Sequence, residues 1–387
     1  MVVYYIKLKK GQTLPDLTLV LLSAGSASRF VKDFPVKKQW IYVEDKPLWL
    51  FVARRFSKFY DFKKIVIVSS KDEIEYMKNF SSEFEFVTGG ETRQQSLKNS
   101  LDVVDTPYVL VSDVARACVT KDMIEEIVSH HDKAECIVPT LDVADTVVYK
   151  GETIDRDSVK LIQTPQLSKT EVLREALSQD REFTDDSSAI KSLGKSVFYT
   201  KGNTFAKKIT HIADLEELAC LKEPKESYFV GSGYDVHQFC KDKKMYLCGV
   251  EVESEFGFLA HSDGDVAIHA LIDSLLGAIG AGDIGELFPD TSDEFKGIDS
   301  KILLKRVVEF IKSVGYEIVN CDITIQAQTP KLSPYKKQMR EVLASILGVE
   351  PVRVNVKATT TEKLGFVGRK EGVAVEATSM IKIYKWK

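Results

Sequence analysis

Between Leu17 and Thr140, short apolar runs alternate with helical patterns, and this rhythm constrains the fold more than any other feature of the chain. The runs are TLVLL, KKIVIVSS, FEFVTGG, YVLVSDVA and ECIVPT. Between them lie segments such as KDEIEYMKNF, ETRQQSLKNSLDVV and KDMIEEIVSHH. Strand–helix–strand alternation demands parallel strands joined by crossovers. The expectation is a doubly wound, Rossmann-like α/β domain whose ligand lies beyond the carboxyl ends of the strands. That rule gathers Ser23–Arg29, Gly89–Arg93 and Ser112–Arg116 around one crevice.

The rhythm breaks at residues 141–166, where alternating strands flank a Lys150-Gly151 turn. This stretch reads as a β-arm able to swap onto a neighbouring copy. Helices near 169–179, 187–193 and 212–221 and the strand SVFYTKG finish the unit. The charged segment LKEPKES, with Pro224, reads as a linker, and a new strand begins at Tyr228. Beyond it, strands mix with helices over 264–280, 300–314 and Pro334–Leu347 without strict alternation, which predicts an α+β sandwich. The expected division is an extension over 1–16 (an extra edge strand), a first domain over 17–221, a linker over 222–227 and a second domain over 228–387. A chain of 387 residues suits two such domains.

A net charge of −4 lacks the basic excess of a general nucleic-acid or anionic-membrane binder, although a nucleotide needs only local positive charge. The longest apolar run near the start is strand-sized, too short for a signal segment or a membrane span. The six cysteines, Cys118, Cys136, Cys220, Cys240, Cys248 and Cys321, form no CxxC pair, so reduced thiols and a cytoplasmic protein are expected.

The turn SAGSASRF carries one glycine where a dinucleotide site would have GxGxxG. Its backbone N–H groups and hydroxyls suit phosphates at a helix N-terminus, and Arg29 with Lys37 or Lys38 would grip a triphosphate. A solvated basic loop would look similar. Asp113 ends an apolar strand as a Mg²⁺ or ribose ligand or a plain turn residue, and Arg116 would pair with it or with phosphate.

In the second half, three of the chain's six histidines (His237, His261, His269) fall within Gly233–Gly285. Asp235 and His237 are two apart on a strand and so share a face. His269 sits in AIHALIDSLLG, where a core histidine would also fit. Together, Asp235, His237 and His269 suit Zn²⁺ or Mn²⁺ with a fourth position open for substrate.

The motifs SAGSASRF…PVKKQW, GGETRQQS, SDVAR, IDRDSVKLIQTPQ, TDDSSA and AKKIT, in order over about 17–215, resemble 2-C-methyl-D-erythritol 4-phosphate cytidylyltransferase. The resemblance implies attack of methylerythritol phosphate on the α-phosphate of CTP, with release of pyrophosphate. It makes Arg29 and Lys38 transition-state stabilisers. Arg156 and Lys208 become methylerythritol phosphate binders, Arg156 from across a dimer. Ala24, Gly25, Gly89, Ser96, Asp113 and Arg116 become nucleotide, substrate or Mg²⁺ contacts. The sequence departs from the family at Ser23, Ser112 and Ala117, and its Arg29–Lys38 loop is two residues longer.

The Gly233–Gly285 stretch, with FPDTSDEFKG, QAQTPKLSPY and KATTTEKLGFVGRKEG, resembles 2-C-methyl-D-erythritol 2,4-cyclodiphosphate synthase over 228–387. This resemblance implies a trimer with sites between subunits, acting on the CDP-2-phosphate derivative and releasing CMP. Asp235, His237 and His269 would bind Zn²⁺. His261 and Thr360 would stabilise the transition state, and Glu362 would help hold Mg²⁺. Ser262, Asp283, Gly285, Phe288, Asp290, Lys331, Phe366 and Arg369 would line the site. A dimeric arm and a trimeric domain predict a hexamer or larger closed assembly, and the pathway kinase acting between the two steps is a candidate partner. The alternative is a general sugar-phosphate nucleotidyltransferase fused to a metal-binding trimeric scaffold.

Overall fold

Leu17–Leu22 is a strand buried along its whole length, the outcome its unbroken apolar run predicts. In the computed structural model, which describes residues 14–25, 30, 34–241, 243–289, 295 and 297–387, this strand is central to a sheet. The edge strand expected in the N-terminal extension falls outside the described residues, as do Arg29 and Asp290. The chain divides into two compact units, with the break between Glu223 and Pro224.

In the first unit, Glu85–Thr88, Lys64–Ser69, Leu17–Leu22 and Tyr108–Asp113 run parallel in that spatial order. Successive side chains leave opposite faces. Val20, Leu22, Val66, Val68, Val109 and Val111 meet a core that includes Leu97, Leu101, Leu173 and Ile190 from three helices. Leu19, Leu21, Ile67 and Leu110, on the other face, are equally buried.

Cys136–Asp142 runs in the direction the alternation implied but does not pair with Tyr108–Asp113. The strand Gln166–Lys169 lies antiparallel between Tyr108–Asp113 and Cys136–Asp142, so the sheet is mixed. Gln166-Leu167-Ser168-Lys169 has one apolar residue, which hides it from a search for apolar runs. Its buried Gln166 is satisfied by Asp185 Oδ2 at 3.0 Å and by the Ser187 N–H at 3.0 Å.

The hairpin Val147–Tyr149 with Glu152–Ile154 turns at Lys150 and Gly151, whose φ values of 52° and 89° match the expected turn. Cys118 and Cys220, read as reduced thiols, form a disulfide across 102 residues of sequence. Spacing could not reveal that pairing. No helix among the described residues is long and apolar enough to cross a membrane.

In the second unit the sheet order is Gly257–Phe258, Tyr228–Cys240, Gly372–Ile383, Tyr316–Gln326, Val354–Thr359. The helix Val266–Ile279 packs on Tyr228–Cys240 and Gly372–Ile383. Asp265 caps its N-terminus by accepting from the Ile268 N–H, and also accepts from the Cys248 and Gly249 N–H groups. Gly280, with φ 68°, ends it in the left-handed conformation a C-terminal glycine favours.

Candidate functional site

In the first unit, the carboxyl ends of the parallel strands open on a cleft of about 730 Å³. Ala24, Gly25, Lys38, Gly89, Ser96, Asp113 and Lys208 all line it, so each of the three segments gathered by the strand-end rule contributes residues to one cleft. A methyl group on Gly89 would collide with Ala24 and lie 2.9 Å from Ser96 Oγ, so glycine lets these walls meet. Of the two lysines, Lys38, the one the resemblance selects, lines the cleft, and Lys37 pairs with the buried Glu73.

Asp113 is gripped by Lys208 Nζ at 2.8 Å and Arg93 Nε at 3.6 Å. Arg93 Nη1 in turn holds the fully buried Asp186 at 2.8 Å. Burial pushes the Asp113 carboxyl up, but Arg93 and Lys208 outweigh it and hold the group below the usual carboxylate range. Of the partners expected for Arg116, Asp113 or phosphate, no direct bond to Asp113 forms; its Nη1 donates to the Ala206 carbonyl at 2.7 Å. Arg93 Nη2 and Arg116 Nε are buried without a hydrogen-bond partner among the described residues, and of the two only Arg93 lines the cleft, where a spare donor fits an anionic ligand. Arg156 is not among the cleft-lining residues of its own chain; it is exposed, with Nη1 on the Ala144 carbonyl at 2.6 Å.

In the second unit, Asp235, His237 and His269 each offer a ligand atom, all within 4.8 Å of one another. The odd-numbered side of Tyr228–Cys240 faces the helix Val266–Ile279, and two glycines on that side set how near the helix comes. A methyl group on Gly233 would run into the Ala270 carbonyl and lie 2.8 Å from the Ser274 N, while one on Gly231 would strike the same helix at Ser274 and Ala278. This approach carries His269 Nδ1 to 3.3 Å from Asp235 Oδ2.

Ser300 Oγ donates to Asp263 Oδ1 at 2.5 Å and lies 3.0 Å from His269 Nε2. His269 Nε2–H therefore donates to Ser300, leaving the Nδ1 lone pair aimed at the cluster. His237 Nδ1 lies 2.9 Å from the Val236 carbonyl, which fixes the proton there and frees Nε2. One carboxylate and two imidazoles with assigned lone pairs fit a divalent transition metal. Burial raises the Asp235 carboxyl, but His237 and His269 outweigh it and hold the group well below the usual range. Burial lowers the His237 imidazole, but Asp235 outweighs it and raises it. A metal ion takes neutral imidazoles, so loading this cluster releases protons.

Gly233→Ala should destabilise the second unit by about 1–3 kcal/mol, because the helix backbone cannot yield without moving His269. A urea melt together with metal stoichiometry checks this: parent stability at full loading would contradict it.

The other expected residues are dispersed. Ser262 Oγ is 3.4 Å from His269 Nε2. Asp283 caps the short helix Ile284–Leu287, which contains Gly285, and Phe288 packs edge-on against Phe295. His261, Lys331, Phe366 and Arg369 are exposed, the last paired with Glu371. Thr360 Oγ1 donates to Glu362 Oε1 at 2.7 Å. That pair is not at the triad. Val236 is opposite Ala374, Ala374 opposite Gln326, and Gln326 opposite Thr359, so three strand spacings of ~4.8 Å separate the two groups by ~14 Å.

Residues 17–221 match the family described as 2-C-methyl-D-erythritol 4-phosphate cytidylyltransferase, and residues 228–382 match the YgbB family. The Bifunctional enzyme IspD/IspF of Aliarcobacter butzleri (strain RM4018) is 57% identical over 372 residues, covering 96% of this chain and 99% of that one. The enzyme of the same name from Campylobacter curvus (strain 525.92) is 52% identical over 371 residues, with the same coverage. The solved structure of the bifunctional IspDF from Campylobacter jejuni superposes with a TM-score of 0.86 at 46% identity, over 96% of this chain and 99% of that chain.

The chain belongs to the bifunctional IspD/IspF family. It is an enzyme with two activities, a cytidylyltransferase in its IspD unit and a cyclodiphosphate synthase in its IspF unit.

Sequence reasoning missed the groups behind the IspD and IspF sites. Arg93 and Asp186 belong to quoted motifs, GGETRQQS and TDDSSA, yet nothing in their spacing says they meet across 93 residues. Ser300 begins a helix after a capping Asp299, a local signal of helix start, and its contact with His269 is tertiary.

Proposed function

We propose that the two units catalyse two non-consecutive steps of isoprenoid precursor synthesis. In the first domain (17–221), a 4-phosphate oxygen of methylerythritol phosphate attacks the α-phosphorus of CTP. The new P–O bond forms as the α–β bond breaks and pyrophosphate leaves. Lys38 and Arg29 offset charge at the five-coordinate phosphorus, while Ala24, Gly25, Gly89 and Ser96 hold the nucleotide. Lys208, Arg116 and Arg156 bind methylerythritol phosphate. Asp113 lines this cleft paired with Lys208, so Mg²⁺ there would be held by Asp113 together with the substrate's own phosphates.

In the second domain (228–387, after a linker over 222–227), a 2-phosphate oxygen attacks the β-phosphorus of the substrate's own CDP group and CMP leaves. Attack within one molecule supplies proximity. Asp235, His237 and His269 would hold Zn²⁺ or Mn²⁺, which would supply Lewis-acid polarisation of the phosphate group. His261 and Thr360 donate to the developing charge, and Glu362 helps hold Mg²⁺ on the diphosphate. Ser262, Asp283, Gly285, Phe288, Asp290, Lys331, Phe366 and Arg369 enclose the substrate. The observation that carries the whole reading is the pairing, in one chain, of a cation-rich cleft at parallel strand ends with an Asp/His/His cluster.

Assembly follows from the same residues. The ~14 Å between the triad and the Thr360–Glu362 pair supports a site completed by a second copy. Tyr228, Val230, Tyr234 and Val236 form an exposed apolar stripe on the open side of the strand, which supports a trimer. Val148, Tyr149, Leu161 and Ile162 are exposed around the arm over 141–166, and with Arg156 outside its own cleft they support a dimer. The expected assembly is a hexamer or larger closed particle. Dependence on CTP assigns it to the cytoplasm, with the pathway kinase as a further contact.

The decisive experiment follows both half-reactions on one preparation: pyrophosphate release from CTP plus methylerythritol phosphate, and CMP release from the 2-phosphorylated CDP derivative. Loss of either activity from well-folded protein refutes the reading for that unit. Stripping transition metal with a chelator should abolish CMP release, and Zn²⁺ should restore it with Mg²⁺ held constant. Light scattering giving the mass of a single chain would refute the assembly.

A further inference from the structure

Glu73 is a buried acid behind the Lys38–Gln39 and Ser70–Lys71 wall of the cleft, and it takes no part in the chemistry described above. It lies on the helix Lys71–Lys78 and is 2% exposed. Carboxylates are rarely so buried unless their oxygens are satisfied. Here four donors converge on it: Lys37 on Oε1, and Gln39 Nε2 at 2.9 Å, Trp40 Nε1 at 2.9 Å and Ser69 Oγ at 3.1 Å on Oε2. Three of the four come from residues that flank Lys38.

We propose that Glu73 is a positioning residue for cytidylyl transfer, holding the Lys37–Trp40 turn by its flanks so that Lys38 is delivered into the cleft. The turn is a single 3-10 turn over Lys38–Trp40, closed by the Trp40 N–H on the Lys37 carbonyl at 2.8 Å. Glu73 takes the side chains at 37, 39 and 40 to one point, and Trp40 is clamped further by stacking on Tyr76, with ring centroids 5.2 Å apart. Lys38 instead lines the cleft beside Gln39, Ser70 and Lys71.

A lysine ammonium rides on a flexible four-carbon stem, so its average position depends on where its backbone is anchored. An apolar anchor would hold the turn without direction, whereas a carboxylate with charge-assisted bonds fixes orientation as well. The pairing also explains why the lysine next to Lys38 does not compete for the phosphates: its charge is committed to Glu73.

The inference rests on the reading of Lys38 as a transition-state cation, and the test separates the two. Glu73→Gln, Lys38→Met and the double variant are made in the full chain, and kcat and KM for pyrophosphate release are measured with CMP release on the same samples. Glu73→Gln should lower kcat by about 10- to 100-fold, the penalty of misplacing a reacting group by ~1 Å, with KM for CTP changed less than about threefold. Lys38→Met should also lower kcat, and the double variant should be no slower than Lys38→Met alone, because Glu73 acts through that lysine. CMP release should stay at the parent value throughout.

Parent kcat in Glu73→Gln, or an undiminished Glu73→Gln effect in the Lys38→Met background, overturns the proposal; the latter marks a purely structural role. Parent kcat in Lys38→Met refutes the reading of Lys38 itself. Should Glu73→Gln fail to fold, Trp40→Phe decides. It deletes one donor and keeps a smaller aromatic ring in place of the indole, and should lower kcat about threefold with KM unmoved; parent kcat there overturns the proposal.

Discussion

Asp235→Ala is expected to abolish CMP release and strip the transition metal, while pyrophosphate release from CTP continues at the parent rate. The carboxylate is the one anionic donor of the cluster, and it lies 3.3 Å from both His237 Nδ1 and His269 Nδ1. Without it, two imidazoles remain to hold a dication, and they lose the charge that offsets their burial. A metal that stabilises transition-state charge contributes several kcal/mol, which at 1.36 kcal/mol per tenfold predicts a fall of ~10³-fold or more. Metal content and the two rates, measured on one sample, check it. CMP release at a tenth of the parent rate with full metal would refute the ligand assignment, and a parent-like urea melt of the second unit guards against misreading a folding defect.

Asp113→Asn should do the converse, with pyrophosphate release falling by ~10²–10³-fold and CMP release unchanged. Asp113 is the hub on which Lys208 and Arg93 converge, with Asp186 behind Arg93. The amide keeps the shape and removes the charge, so Lys208 is released from the wall of the cleft and Arg93 is left tied to Asp186 alone. Because the Asp113 pKa is depressed, its contribution to stability is complete above the unfolded value of ~3.9 and is lost only as pH falls through the lower folded value. The pH–rate profile of the parent enzyme should therefore show no acid limb from Asp113 above pH ~4, and any such limb must come from another group or the substrate. A variant with parent pyrophosphate release would remove Asp113 from the site.

The two sites were legible to different depths. The Asp235/His237 pair could be read directly, because a two-residue step on a strand fixes the face on which both side chains emerge. His269 needed the resemblance or the fold, since an apolar helix carries core histidines as readily as ligands. The role of Gly231 and Gly233 was invisible in sequence, as a glycine in a strand says only that something approaches closely. The helix backbone turns out to be what approaches.

In the IspD unit, the strand-end rule gathered Ser23–Arg29, Gly89–Arg93 and Ser112–Arg116 before any contact was known, and of these Ser23–Gly25, Gly89–Arg93 and Asp113–Ala115 line one cleft. It could not choose between adjacent Lys37 and Lys38. That choice depends on Glu73, an acid 36 residues away from Lys37 in sequence.

What the sequence determined by itself is whatever has a local period or spacing: the parallel core strands, the Lys150-Gly151 hairpin turn, the helix over Val266–Ile279, and one face carrying Asp235 and His237. Tertiary structure decided the rest. It set the polar strand Gln166–Lys169 antiparallel inside the sheet, joined Cys118 to Cys220, turned Arg116 to the Ala206 carbonyl, and put Thr360 and Glu362 three strands from the triad. Each of these is a pairing between segments remote in the chain. Hydrophobic periodicity fixes which face of an element is buried, but only the packed neighbours fix which polar group meets which.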